Sequence, residues 1–310
     1  MLKYLIVQLD DVATSFCHYS NNTNVSNIMP LNTLKEAVIW SMKENLMVQF
    51  VLPNYPLPEE YYDVIDSIDH VCISDSKEKI DVNVFNGVND IEILKKEAYS
   101  HLVLRLTKDE LFSHIEAIKA ILLIQPSVNI TLRDIEKFTD EDYDHYQEVL
   151  KKFSEVTIER ILSMELANVN LLTDRLSLNS INNCGAGCES ITIAPDGSFY
   201  ICPAFYFDGE PSVGNLSEGL NIPNEQLYKL DFAPICRRCD AYQCKRCVWL
   251  NKKTTLEINT PSRQQCVLAH LERNASRNLL NKLTKSGKFK TNISIPEIDY
   301  LDPYEILIKK

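Results

Sequence analysis

Eight of the ten cysteines in this 310-residue chain fall between positions 184 and 266. Six form tight pairs, Cys184-x3-Cys188, Cys236-x2-Cys239 and Cys244-x2-Cys247, and Cys202 and Cys266 complete the set. A spacing of two or three residues lets both sulfurs of a pair reach one metal. Between Cys188 and Cys202, two β-rich runs flank Pro195-Asp196-Gly197. There Pro presets φ and Gly supplies a positive φ, so the segment Ile191–Ile201 is predicted to fold back as a hairpin. That places Cys202 roughly opposite Cys188. Eight thiolates fill two four-coordinate sites. Spacing alone suits two zinc ions as well as two iron–sulfur clusters, and slightly favours zinc because structural zinc is common.

The rest of the sequence says where such thiols would work. The opening Met1–Asp10 reads as a strand without a signal-peptide cleavage site, and no apolar run approaches membrane-spanning length. A cytoplasmic location is therefore expected, where thiols stay reduced and act as ligands or nucleophiles. Only Gly87 of the 8 glycines precedes residue 185, which excludes P-loop and dinucleotide-binding loops from the first half. Net charge is −11, yet residues 236–290 hold 13 Lys/Arg against 3 Asp/Glu, leaving −19 over residues 1–235. Most of the chain thus has the opposite sign to a nucleic-acid binder. The basic block reads first as compensation for clusters that carry roughly −2 each, and second as a docking site for an acidic partner.

Strand and helix patterns alternate through the first half. Strands are expected at Tyr4–Leu9, Met47–Leu52, His70–Ile73, Asp81–Phe85, His101–Leu106 and Val128–Leu132. Helices are expected at Leu31–Asn45, Pro58–Ile68, Asp90–Tyr99, Lys108–Ile124 and from Thr139 or Asp140 to about Phe153. This βα order implies an α/β fold with a parallel sheet, either a partial (β/α)6-like barrel or a flat doubly wound sheet. Cysteine, glycine and turn signals then crowd in. The expected division is 1–180 for the barrel, 181–283 for a small Cys-rich α+β domain closed by a helix over 267–283, and 284–310 for a C-terminal tail.

The run Cys184-x12-Gly197-x4-Cys202, Cys236-x2-Cys239-x4-Cys244-x2-Cys247 and Cys266 resembles the SPASM domain. That is the auxiliary-cluster domain of radical S-adenosylmethionine (SAM) enzymes that modify peptides and proteins. The resemblance implies two [4Fe-4S] clusters with interleaved ligands. Cys184, Cys188, Cys202 and Cys247 would bind one, and Cys236, Cys239, Cys244 and Cys266 the other. The sequence departs from that family in its last pair, usually Cys-x3-Cys, since Cys244-x2-Cys247 is short enough to chelate one metal. Radical SAM enzymes also need Cys-x3-Cys-x2-Cys after the first strand. Here Ala13-Thr-Ser-Phe-Cys17-His18-Tyr19-Ser20 keeps one thiol. Phe50-Val-Leu-Pro-Asn-Tyr-Pro-Leu57 replaces the family's Gly-Gly-Glu-Pro segment. These losses imply a degenerate radical SAM barrel with no SAM-cleaving cluster, in which removal of Cys17 leaves iron content unchanged.

Over nearly its full length the chain resembles the CXXX-repeat peptide maturase family. Asp10-Asp11, Cys17-His18-Tyr19, Glu44–Phe50, Cys236–Leu250 and His270–Ser276 carry that resemblance. It implies post-translational maturation of a Cys-rich precursor peptide, by peptide binding, electron relay or both, beside a radical SAM enzyme of the same pathway. The chain would be either the maturase or its accessory subunit, without nucleic acid or membrane partners. The alternative is a zinc-stapled scaffold, with two Zn and no redox role.

Asp10 and Asp11 follow the first strand, where barrel sites gather, but also read as solvated loop acids. Cys17 and His18 read as a nucleophile–base or metal pair, or as a remnant without chemistry. His270, four residues after Cys266, reads as a neighbour of the metal rather than a ligand, and Trp249 and Tyr242 as packing. Anaerobic reconstitution is expected to yield about eight irons and eight sulfides per chain. Iron and sulfide assays that saturate near half those values would remove one cluster, and a colourless zinc-loaded protein would replace both.

Overall fold

The computed structural model describes residues 2–21, 23–181 and 184–287; most of the expected tail 284–310, from 288 onward, lies outside the described residues. Six parallel strands follow the expected runs: β1 (Tyr4–Gln8), β2 (Met47–Val51), β3 (His70–Ser74), β4 (Val82–Asn86), β5 (His101–Leu106) and β6 (Ser127–Leu132). Among them stand α1 (Leu31–Lys43), α2 (Glu59–Ile65), α3 (Ile91–Leu94), α4 (Lys108–Ser113) and α5 (Ile115–Ile124), and α6 (Asp140–Leu162) follows. The chain continues through β7 (Asn168–Val169), α7 (Asn170–Thr173), β8 (Ser190–Ile193), β9 (Phe199–Tyr200) and α8 (Pro203–Phe207). A small ribbon, β10 (Gly214–Asn215) and β11 (Gly219–Leu220), precedes α9 (Val248–Thr255) and α10 (Arg263–Lys285).

Nine strands share one sheet in the order β7-β6-β5-β4-β3-β2-β1-β8-β9. All neighbours are parallel except β8 and β9. A doubly wound sheet reverses its strand order at a switch point, and here the order runs from β7 to β1 without reversal. With right-handed crossovers, that order keeps the helices on one face, as in a partial barrel. The α/β partial-barrel expectation holds, and the Cys-rich segment extends the same sheet through β8.

Side-chain alternation divides the sheet. Leu5 and Val7 point into the main core under the helices, whereas Ile6 joins Ala13 and Val51 on the inner face. Ile73, Val84 and Val103 form a second inner cluster, and Phe16 packs against both. The loop after β1 therefore enters the barrel.

Several elements differ from their sequence patterns for local reasons. The helix expected over 90–99 stops as the one-turn α3. The Gln125 side chain takes the carbonyls of Leu94 and Glu97 at 2.7 and 2.6 Å and caps the Tyr99 N–H at 2.8 Å, groups that would otherwise carry the helix onward. The helix over 108–124 breaks at His114, whose φ of −121° leaves the helical region. The long helix is capped by Thr139 and Asp142 and runs on to Leu162, where Arg160 holds the carbonyls of Leu122 and Gln125 at 2.7 and 2.6 Å. Parallel β3 and β4 are joined by a short loop without a helix, an unusual crossover. Asn83 secures it by donating to the carbonyls of Ser76 and Glu78 at 3.0 and 2.7 Å. Among the described residues no helix is long and apolar enough to cross a membrane.

The barrel meets the Cys-rich segment along α6 and α10. At that seam the buried Tyr146 hydroxyl donates to Glu272 at 2.7 Å. Burial raises the Glu272 carboxyl from 4.5 to about 7, against the hydrogen bonds from Tyr146 and Gln243 that lower it. Between those values the folded state binds more protons than the unfolded one. Stability from this group is therefore full below 4.5 and falls as pH rises toward 7, by at most a few kcal/mol. Urea unfolding of Glu272→Gln is expected to lose less stability between pH 5 and 8 than the parent chain; identical slopes would contradict this.

Candidate metal centre

Two cavities are walled by cysteines. The larger, of about 440 Å³, lies between the inner face of the barrel and the Cys-rich segment, and Cys17, Cys184, Cys202 and Cys247 line it together with Lys245 and Trp249. The smaller, of about 20 Å³, is lined by Cys236, Cys239, Cys244 and Cys266 with His270 and Arg246. Among the described residues no three His, Cys, Asp or Glu converge tightly enough to hold a single metal ion. Among the described residues no disulfide joins any of the cysteines.

Local structure explains how each thiol is aimed. The hairpin forms around Pro195-Asp196-Gly197 with the Gly197 N–H on the Ala194 carbonyl at 2.9 Å. Its register pairs Thr192 with Tyr200, which, continued, sets Cys202 opposite Ser190 rather than Cys188. Gly187 has φ +76°, and an added Cβ would meet the Tyr228 ring at 2.7 Å, so only glycine fits at the position before Cys188. Cys202 and Cys247 cap the N-termini of α8 and α9, and the Cys247 sulfur accepts the Leu250 N–H at 3.4 Å. A helix start favours a thiolate there. Arg246 has φ +45°, a left-handed value rare for a residue with a side chain. Cys244 lines the small cavity and Cys247 the large one, and both also line a third cavity of about 50 Å³.

In the small cavity, the Cys239 sulfur lies 3.3 Å from His270 Nε2 and accepts the Ala241 N–H at 3.4 Å. Next to it, the buried Asp240 meets Arg273 at 2.9 Å, Arg175 at 3.5 Å and Arg277 at 3.7 Å. Three guanidiniums around one carboxylate place positive charge beside this quartet, and Arg273 and Arg175 both favour the Cys239 thiolate. Burial works the other way, pushing Cys236 up to about 12 and Cys244 well above its ordinary value. Thiols that lose their protons to a metal, beside fixed cations, suit an anionic cluster.

The four weak catalytic candidates lie on the loop after β1. Asp10 is fully buried; burial raises its carboxyl, but hydrogen bonds from Ser26, Tyr55, Val12 and Asn27 outweigh it and hold it below the ordinary range. Asp11 accepts the Tyr206 hydroxyl at 2.6 Å and the Asn27 amide at 3.0 Å. Both acids therefore organise the loop. Cys17 and His18 face the large cavity. Burial raises the Cys17 thiol to about 11, and burial with the Lys245 charge lowers His18 to about 4. Groups so far apart exchange no proton at neutral pH. His18 Nδ1 instead donates to the Leu132 carbonyl at 2.7 Å.

Two residues that the sequence reading passed over hold this region. Arg105 on β5 is buried; its Nε donates to the Cys17 carbonyl at 2.9 Å, and its other nitrogens reach the Tyr19 carbonyl and Asn86. A lone arginine inside the apolar run His101–Leu106 was the available signal. Lys245 bonds Asn129 at 2.8 Å and lends positive charge to Cys17 and Cys184. Trp249 packs in the module, its indole N–H on Asp208, and Tyr242 is half-buried.

No family model matches the sequence, and a search of curated proteins finds no relative. Solved structures do match. Hexahistidine-tagged anSMEcpe with bound AdoMet aligns with TM-score 0.66 at 12% identity, covering 92% of this chain and 96% of that one. Native anSMEcpe with bound AdoMet and Kp18Cys peptide aligns with TM-score 0.62 at 13% identity, over 91% and 99%. The chain shares the overall fold of these proteins. At these identities the likeness carries the fold and nothing finer.

His270→Leu removes the contact to Cys239 without removing a thiol. It is expected to keep the iron content and to lower the potential of one cluster by about 40 mV, the one-electron equivalent of about 1 kcal/mol. EPR-monitored redox titration reads this directly, and an unchanged potential would remove His270 from the cluster's surroundings.

Proposed function

We propose that this chain is an iron–sulfur protein acting in the post-translational maturation of a cysteine-rich peptide of Cys-x-x-x repeats. It binds that peptide, relays electrons, or both, in the cytoplasm, beside a radical SAM enzyme of the same pathway. In this reading residues 1–180 form a degenerate barrel, 181–283 the SPASM-like cluster domain and 284–310 a tail. The single observation that carries the reading is the pair of cysteine-walled cavities, each with cationic residues at hand. Four-iron cubes set a thiolate at each iron corner and so suit donors spread around a cavity.

Cys236, Cys239, Cys244 and Cys266 would hold one cluster; Cys184, Cys202 and Cys247, with Cys188 as the fourth ligand by resemblance, would hold the other. When bound, such clusters pass single electrons. The chain's own residues do the rest: the arginines around Asp240 and Lys245 offset negative charge, and the apolar inner face of the barrel excludes water. Phe16 inside the barrel, and Ala13 and Ser20 where the resembled enzymes have thiols, support a barrel that cleaves no SAM itself. The fold shared with a protein crystallised with a Kp18Cys peptide is consistent with peptide binding.

Calorimetry of the iron-loaded protein with a synthetic Cys-x-x-x repeat peptide is expected to show binding that Cys236→Ala/Cys239→Ala weakens by about tenfold or more, about 1.4 kcal/mol. The same reduced protein, incubated with SAM, is expected to release no 5′-deoxyadenosine. Equal affinity of both proteins would remove the cluster domain from recognition, and 5′-deoxyadenosine would overturn the degenerate-barrel reading.

A further inference from the structure

The resemblance assigns Cys188 to the first cluster, but the cavity is walled by a different fourth thiol. Cys17, Cys184, Cys202 and Cys247 all line it, and Cys188 does not. We propose that Cys17, from the barrel loop, supplies the fourth thiolate of the cluster in the large cavity, in place of Cys188. This rests on the iron–sulfur reading above and replaces the sequence expectation that Cys17 is dispensable for iron.

Charge interactions trace the same quartet. Cys184 acts on Cys17, Cys202 and Cys247, and Cys17 acts on Cys247. The charges that act on Cys188 are those of Arg246, Lys229, Glu225 and Glu189. The hairpin register, continued beyond the Thr192–Tyr200 pair, sets Cys202 opposite Ser190 rather than Cys188.

The loop that carries Cys17 is fixed from three sides. Arg105 holds the carbonyls of Cys17 and Tyr19. His18 is tied to the Leu132 carbonyl at 2.7 Å. The Tyr19 ring stacks on Phe207, in the helix that Cys202 caps, with centroids 5.8 Å apart. Ligation by a group already held in place costs little further ordering entropy. Lys245 lines the cavity and favours the Cys17 and Cys184 thiolates, with Arg105 adding to the first and Arg246 to the second. A cluster bound this way staples the barrel loop to the Cys-rich domain through one inorganic core.

The test is iron content of anaerobically reconstituted parent, Cys17→Ala and Cys188→Ala proteins, with EPR to count cluster types. Cys17→Ala is expected to lose about half its iron and one EPR signal while keeping the other, and Cys188→Ala to keep both. In the loaded parent, mass spectrometry after alkylation is expected to find Cys17 modified only once a chelator has removed the iron. Full iron in Cys17→Ala, or Cys17 labelling indifferent to chelation, overturns the proposal whatever Cys188→Ala does. A parent that binds no iron fails differently, because it removes the iron–sulfur reading itself. If Cys17→Ala does not fold, the alkylation of the parent decides alone.

Discussion

Thiols taken out of water keep their protons, and this governs the Cys-rich half of the molecule. Burial pushes Cys17 to about 11, Cys236 to about 12, and Cys202, Cys244 and Cys247 upward as well. A thiol in that state is a poor nucleophile, and several thiolates brought together would repel one another. What relieves it is a positive centre. The chain supplies some of that charge itself, with Arg175, Arg246 and Arg273 buried near the thiols and Lys245 facing the larger cavity. A metal that displaces the protons would supply the rest, and its binding energy would then be folding energy for a segment with little regular structure of its own.

The same constraint reaches into the barrel. The loop after β1 places Phe16 against both inner clusters and presents Cys17 to the cavity, while Arg105 satisfies its backbone from β5. A buried guanidinium spent on carbonyl groups is costly unless its fork is well used, and Arg105 reaches Cys17, Tyr19 and Asn86 at once. Asp11 and Tyr19 join that loop to Tyr206 and Phe207 of α8. Barrel and Cys-rich segment are thereby coupled through this loop and along the α6–α10 seam, besides sharing one sheet through β1 and β8.

Much of this was legible in the residues. Buried parallel strands are short apolar runs, and all six were found; the Pro-Asp-Gly turn and the eight-thiol set announce themselves by type and spacing. Tertiary competition was not legible. Nothing local to residues 90–99 reveals that Gln125, far along the chain, takes the carbonyls that would continue the helix. Nor does spacing reveal that Arg246, between Cys244 and Cys247, adopts φ +45°. For Cys17 the sequence leaves a nucleophile–base or metal pair and a remnant both open, since Cys184 lies more than half the chain away and only the fold brings the two to one cavity.

Iron-edge anomalous diffraction from crystals of anaerobically loaded protein tests the central claim most directly. The account predicts two centres of anomalous density, one among Cys236, Cys239, Cys244 and Cys266 and one in the cavity lined by Cys184, Cys202 and Cys247. Density that appears at the zinc edge and not at the iron edge, or iron bound away from both cavities, would contradict it.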